Sequence, residues 1–164
     1  MKKIMRPRRV LIIDDEENML HVLKIILIKE VYEFELSRDG REGLIKVVSS
    51  KFDMVLCDLR MPEMDGMEFL DGLNEKQIDQ TIIMMSAYGT VDSALEAMKR
   101  GAYDYISKPF KPDEIILTLK KAEERENLRE ENTFLKNKIE TESGLDAIVS
   151  ENNTMVGIFE TIRK

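Results

Sequence analysis

Short apolar runs alternate with helical periodicities from residue 10 to about residue 120. The run Val10 to Ile13 stops at Asp14 and Asp15, and from about Glu16 to Lys29 the residues Met19, Leu20, Leu23, Ile26 and Leu27 recur at helical spacing. Tyr32 to Leu36 predicts a second strand, Gly40 to Val48 a second helix, and Phe52 to Cys57 a third strand ending at Asp58. A loop from Met61-Pro62 to Asp65-Gly66 opens a short helix around Met67 to Leu73. Thr81 to Met85 reads as a fourth strand, ending at Ser86. Thr90 can N-cap the next helix, which stops before Gly101, and Tyr103 to Ser107 is a fifth strand ahead of Lys108-Pro109.

Continuous apolar strands alternating with amphipathic helices imply a parallel sheet covered on both faces. Five such units predict an α/β, flavodoxin-like, doubly wound five-stranded sheet of order 2-1-3-4-5. In that architecture the carboxyl ends of the strands form one edge, where sites are built. Asp14 and Asp15 follow strand one, Asp58 strand three, Ser86 strand four and Lys108 strand five. Every unusual polar residue lands on that edge.

The last helix starts with Pro112, Asp113 and Glu114, residues suited to the positive end of the dipole. Nothing stops it before Gly144, so the sequence predicts roughly 40 Å of helix at about 1.5 Å per residue. Its first turns carry Ile115, Ile116 and Leu119 for the domain. Beyond Ala122 the apolar positions thin to Leu128, Leu135 and Ile139, with Asn132 completing a coiled-coil-like seam. Residues 120–142 hold six basic and seven acidic side chains, so a lone helix there is marginal and pairing with a second copy is expected. Asn132 at a core position suits a parallel dimer register. The resulting division is a basic segment 1–9, a domain 10–121, a helical dimerisation linker 122–143 and a new apolar pattern from 144 to 164.

Composition narrows the classes. The chain has 164 residues, of which 43% are hydrophobic and 35% charged, which excludes disordered and collagen-like readings. A net charge of −7 argues against bulk nucleic-acid binding, and residues 120–142 lack the basic run of a basic zipper. No apolar run approaches a membrane span, and the basic N-terminus lacks the apolar core of a signal peptide. The single cysteine, Cys57, forms neither an internal disulfide nor a thiolate cage, which fits a reducing, cytoplasmic compartment. Cys57 reads as core, His21 as a boundary residue, and Met61, Met64 and Met67 as core filler or the lining of a partner groove.

Three aspartates converging on one edge repel each other unless a cation sits among them. A hard divalent ion is the natural solution, and few carboxylates favour Mg²⁺. An aspartate can also act as a nucleophile toward phosphorus. The ammonium of Lys108 and the hydroxyl of Ser86 are suited to the transferred group. The indicated chemistry is phosphoryl transfer onto a carboxylate.

Residues 10–121 closely resemble the receiver domain of two-component response regulators (CheY-like). The motifs are Ile-Ile-Asp14-Asp15-Glu-Glu, Cys57-Asp58-Leu-Arg-Met-Pro62-Glu-Met-Asp-Gly66, Met85-Ser86-Ala-Tyr-Gly89, Gly101-Ala-Tyr-Asp-Tyr105 and Ser107-Lys108-Pro109-Phe110. The resemblance implies Asp58 as phosphoacceptor, with Asp15 and Asp58 as direct Mg²⁺ ligands. It implies Asp14 as a ligand through water and the Arg60 backbone carbonyl as a further ligand. It also implies phosphoryl contacts from Ser86 and Lys108, a cis peptide at Pro109, and Tyr105 as the switch aromatic. A sensor histidine kinase is the implied donor. The chain is then not an enzyme in its own right, beyond self-catalysed transfer and hydrolysis. Arg60 and Tyr88 are expected to flank the phosphoryl group and hinder water.

The segment from Ile148 to Lys164 resembles the opening of the AAA+ ATPase domain of NtrC-type sigma-54-dependent activators. That implies a homodimeric regulatory fragment, acting on sigma-54 RNA polymerase and DNA only through domains outside this chain. A stand-alone CheY-like signalling receiver is the alternative. A flavin-binding flavodoxin is disfavoured by three carboxylates at the site. A haloacid-dehalogenase-type phosphatase is disfavoured because Arg60 stands where its second acid belongs.

Overall fold

The computed structural model describes residues 6–87 and 89–162, with 142–162 described as backbone alone. Among the described residues the order is β1 (Arg9–Ile13), α1 (Glu17–Lys29), β2 (Glu33–Ser37), α2 (Gly40–Ser49), β3 (Met54–Asp58), α3 (Gly66–Glu75), β4 (Ile82–Ser86), α4 (Val91–Lys99), β5 (Asp104–Ser107) and α5 (Pro112–Ile162). All strand pairs are parallel, in the predicted order β2-β1-β3-β4-β5.

The continuous apolar strands follow from burial on both sheet faces. Val10 and Ile12 pack with Leu23 and Leu27 of α1 and with Ile115 and Leu119 of α5. Their neighbours Leu11 and Ile13 pack on the other side with Val47, Phe69, Leu73 and Ala97 from α2, α3 and α4. A strand with period-two geometry and helices on both sides leaves no position for a polar side chain. The outer edges are blocked by side chains: Lys46 Nζ donates to the Leu36 carbonyl on β2, and Asp104 Oδ1 accepts the Tyr105 N–H on β5 at 2.8 Å.

Strand register levels the carboxyl ends. Ile13 is paired with both Ser37 and Cys57, Asp58 with Met85, and Ser86 with Ser107. Helix starts are fixed locally. Asp39 caps α2 by accepting the Glu42 N–H, and capping boxes start α3 (Asp65 with Glu68) and α4 (Thr90 with Ser93). The opposite end of the sheet is pinned by Asp53, which is 8% exposed. It accepts from the buried Arg8 guanidinium and from the Arg9 backbone N–H, each at 2.8 Å.

The chain divides into two compact units, one ending at Glu124 and the next starting at Arg125. The helix was expected to end at Gly144, but its backbone continues to Ile162. A single glycine weakens a helix by roughly 1 kcal/mol relative to alanine, which does not by itself end one. In the second unit Leu128, Phe134, Leu135 and Ile139 are exposed. The side chains behind the expected AAA+-like pattern after Gly144 lie outside the described residues. Among the described residues no helix is long and apolar enough to cross a membrane.

Candidate functional site

The levelled strand ends bring together side chains far apart in sequence. Asp14 directly follows β1, Asp58 ends β3, Ser86 ends β4, and Lys108 directly follows β5. Asp14 is fully buried, Asp58 and Ser86 nearly so, and Lys108 is 9% exposed. Asp15, its side chain on the open side of the edge, is exposed. Carboxylate oxygens of Asp14, Asp15 and Asp58 lie within 4.8 Å of one another.

Lys108 reaches into this group from β5. Its Nζ is 2.8 Å from Asp14 Oδ2 and 2.8 Å from Asp58 Oδ1. Burial raises the pKa of both carboxyls above the ordinary aspartate range, and the Lys108 hydrogen bonds offset only part of that. Burial acts on Lys108 in the opposite sense, lowering it, but hydrogen bonds to Asp14 and Asp58 outweigh this and hold the ammonium above its ordinary pKa. One ammonium among three carboxylates leaves two negative charges at one spot. The donor set consists of hard oxygens in small number, with one carboxylate open to water. That matches the needs of a small divalent cation such as Mg²⁺, which retains waters and takes few protein ligands.

Backbone contacts hold these side chains in place. Asp14 Oδ1 accepts the Glu16 N–H at 2.9 Å, which serves the start of α1 in place of a side-chain cap. The Arg60 N–H donates to Asp58 Oδ2 at 3.2 Å, and the Lys108 N–H to the Ser86 carbonyl at 2.7 Å. The Lys108–Pro109 peptide is cis. Gly66 lets α3 start against the strand end, because a Cβ there would lie 2.5 Å from the Asp58 carbonyl oxygen.

Tyr105 is half-buried on β5. Its ring fills the space beside Gly89, where a Cβ would come within 2.5 Å of the tyrosine oxygen. The hydroxyl is 3.4 Å from Ser93 Oγ. The Ser93 hydroxyl already donates to the Thr90 carbonyl at 2.9 Å, so Tyr105 is the donor in that contact. This ties the aromatic to the first turn of α4, a link the sequence reading missed.

Other sequence candidates sort themselves. Arg60 is exposed just past β3, and Tyr88 lies outside the described residues. Cys57 is fully buried in the core, where burial pushes its thiol pKa up and keeps it inert. His21 is exposed on α1, and Met61, Met64 and Met67 pack half-buried against the α2–α3 side of the core. Leu128, Asn132, Leu135 and Ile139 are exposed on the second unit's helix.

A family model described as the response regulator receiver domain matches residues 10–120. The Regulatory protein AtoC of Escherichia coli (strain K12) is 32% identical over 156 residues, covering 95% of this chain but 34% of AtoC. This chain thus spans about a third of that relative's length. The solution structure of the beryllofluoride-activated NtrC4 receiver domain dimer superposes with a TM-score of 0.68 and 36% identity, over 72% of this chain and 98% of that one. The response regulator TrrA from Thermotoga maritima, in complex with Mg²⁺ and BeF, gives a TM-score of 0.64 and 35% identity, over 70% of this chain and 98% of its own. With a continuous family match over most of its length, and with that family's sheet order and acidic edge, the chain belongs to the response regulator receiver domain family.

Proposed function

We propose that this chain is the phosphorylation-controlled regulatory part of a sigma-54-dependent transcriptional activator. Asp58 accepts a phosphoryl group from a phosphohistidine of a sensor histidine kinase, and the change passes through the receiver face and linker helix of a homodimer to an output ATPase. The observation that carries this reading is the Lys108 ammonium seated between Asp14 and Asp58, 2.8 Å from each, beside a third carboxylate.

Asp14, Asp15, Asp58 and the Arg60 carbonyl would hold Mg²⁺, which when bound supplies positive charge beside the oxygens of the transferring group. An Asp58 carboxylate oxygen attacks phosphorus and forms the P–O bond. The P–N bond breaks, the electron pair stays on the imidazole nitrogen, and that nitrogen takes up a proton. Asp58 must be ionised to attack, and the neighbouring Lys108 favours that form. Once the Asp58 carboxylate has become an acyl phosphate, Lys108 turns from it to the phosphoryl oxygens. The Ser86 hydroxyl at the end of β4 supplies a hydrogen bond to the same group, and Tyr105 follows the movement of β4 and α4.

The phosphoryl group adds about −1.5 to −2 charges at this edge. It shifts the face formed by α4, β5 and α5 only through differential contacts, on the scale of about 1–3 kcal/mol. The exposed face of α4 offers Val91, Leu95 and Met98 to a second copy. In the linker, Leu128, Leu135 and Ile139 expose between 49% and 62% of their surface, which an isolated helix in water does not favour. A parallel pairing there buries them and places Asn132 against its counterpart.

Incubation with acetyl phosphate and Mg²⁺ followed by intact-mass measurement tests the assignment. Wild type gains one phosphoryl mass and Asp58→Asn gains none; equal labelling of the two would sink the site. Solution mass with and without beryllofluoride tests the dimer, and a monomer under both conditions points instead to a stand-alone receiver.

A further inference from the structure

The loop between β3 and α3 carries the residues that follow Asp58, and α2 fastens it through a backbone hydrogen bond. The Gly40 N–H donates to the Met64 carbonyl at 3.1 Å. Gly40 is the first residue of α2 after its cap, Asp39. Its N–H is therefore one of those a helix leaves without an internal partner, at the positive end of the dipole. On the loop side, Glu63 has a φ of 66°, in the left-handed region that non-glycine residues seldom occupy. The Met64 N–H donates back to the Pro62 carbonyl at 2.8 Å, and this turn presents the Met64 carbonyl to α2.

The approach is close enough to require glycine. A Cβ at position 40 would lie 2.7 Å from Met64 O, 2.9 Å from Met64 Cγ and 3.3 Å from Asp65 O. Two of these atoms are backbone, so alanine can be admitted only if the loop or the start of α2 moves. The same loop is tied at its start to the site, through the Arg60 N–H on Asp58 Oδ2 and through the Gly66 N–H on the Leu59 carbonyl at 2.9 Å. A displacement at Met64 is carried along this short tether to Arg60 and the Asp58 carboxylate. By contrast, a Cβ at Gly72, on the neighbouring α3 and also facing α2, would meet Leu44 Cδ2 at 3.0 Å, the end of a flexible side chain.

We propose that Gly40 is a positioning residue for the acceptor site. The close passage of α2 holds the β3–α3 loop so that Asp58 and the Arg60 carbonyl are presented together to a divalent cation. This rests on the phosphoacceptor reading above. It concerns a residue on a different element from every proposed ligand, and one that touches none of them.

The test is Mg²⁺ titration of the full chain, followed by amide chemical shifts, for wild type, Gly40→Ala and Gly72→Ala, with thermal unfolding of each in EDTA. Gly40→Ala is expected to weaken Mg²⁺ binding about tenfold, the low end of what losing an outer partner of a metal ligand costs, while Gly72→Ala stays within about twofold of wild type. Wild-type affinity in Gly40→Ala overturns the proposal. So does equal weakening in Gly72→Ala, which would reduce the effect to helix packing. Should Gly40→Ala fail to fold, Met64→Gly adds no atom at position 40; it removes a half-buried side chain and frees the loop backbone. It is expected to weaken Mg²⁺ binding in the same direction, and unchanged affinity there also overturns the proposal. A wild-type protein with no saturable Mg²⁺ response would instead remove the phosphoacceptor reading itself.

Discussion

Lys108→Met tests the electrostatic arrangement of the site directly. The Lys108 side chain is 6% exposed, and its partners Asp14 and Asp58 are 0% and 7% exposed. Methionine keeps the unbranched length and removes the charge, leaving two buried carboxylates facing each other. Removing one partner of a buried ion pair costs about 3–5 kcal/mol. The exposed Asp15 beside them means water reaches this edge, so the lower end applies, about 3 kcal/mol at pH 7 without divalent cations. The pH dependence has a definite sign. Burial already raises both carboxyl pKa values in the folded protein, and loss of the ammonium raises them further. A carboxyl raised in the folded state destabilises most above that raised value, and the penalty is relieved as pH falls through it, by up to about 1.4 kcal/mol per pH unit per group. Urea unfolding followed by far-UV circular dichroism in EDTA, from pH 8 to pH 5, measures this. The variant should lie well below wild type at pH 8 and close on it toward pH 5. Saturating Mg²⁺ at neutral pH should restore part of the loss. A difference under about 1 kcal/mol at pH 8, or one that does not change with pH, would refute the reasoning.

Three further substitutions probe the scaffold. Val31 follows the end of α1 with a φ of 62° and is 74% exposed, so Val31→Gly should raise stability by about 1 kcal/mol in the same unfolding assay. Ser37 Oγ is buried with no hydrogen-bond partner among the described residues, so Ser37→Ala should be neutral or stabilising by up to about 1 kcal/mol; a clear loss would reveal a bond to water or to an undescribed group. Burial would raise the Asp53 carboxyl pKa, but the Arg9 N–H and the Arg8 and Arg6 guanidinium groups hold it below its ordinary value. Its stabilisation is present above the ordinary aspartate range and is lost as pH falls through the lowered value. Asp53→Asn should therefore cost about 3 kcal/mol at pH 7, and its gap from wild type should close in acid unfolding below about pH 4.

Local pattern carried much of this protein. The apolar runs at Val10–Ile13 and Thr81–Met85 read directly as buried strands, because a sheet covered on both faces tolerates no polar alternation. Asp14, Asp15, Asp58, Ser86 and Lys108 stood out because each breaks or follows such a run, and chain polarity alone puts strand ends on one edge. Thr90 declared the start of α4 by the chemistry of its hydroxyl.

Contacts between distant segments were not legible, since no local propensity records them. Lys108 lies 94 residues from Asp14, and only the β4–β5 register and the packing of the sheet seat its ammonium between two carboxylates. Tertiary packing decided that Asp14 is buried while Asp15 faces water, although the two are identical neighbours in sequence. It also decided that Arg8 pairs with Asp53, that Tyr105 lies over Gly89 beside Ser93, and that Gly40 must lack a side chain for Met64 to approach. The sequence by itself determined which elements form and which chemistry they can carry, because periodicity and residue type act over a few neighbours. Only the tertiary structure decided which charges share a dry space and which backbone atoms touch, because those depend on how whole elements pack.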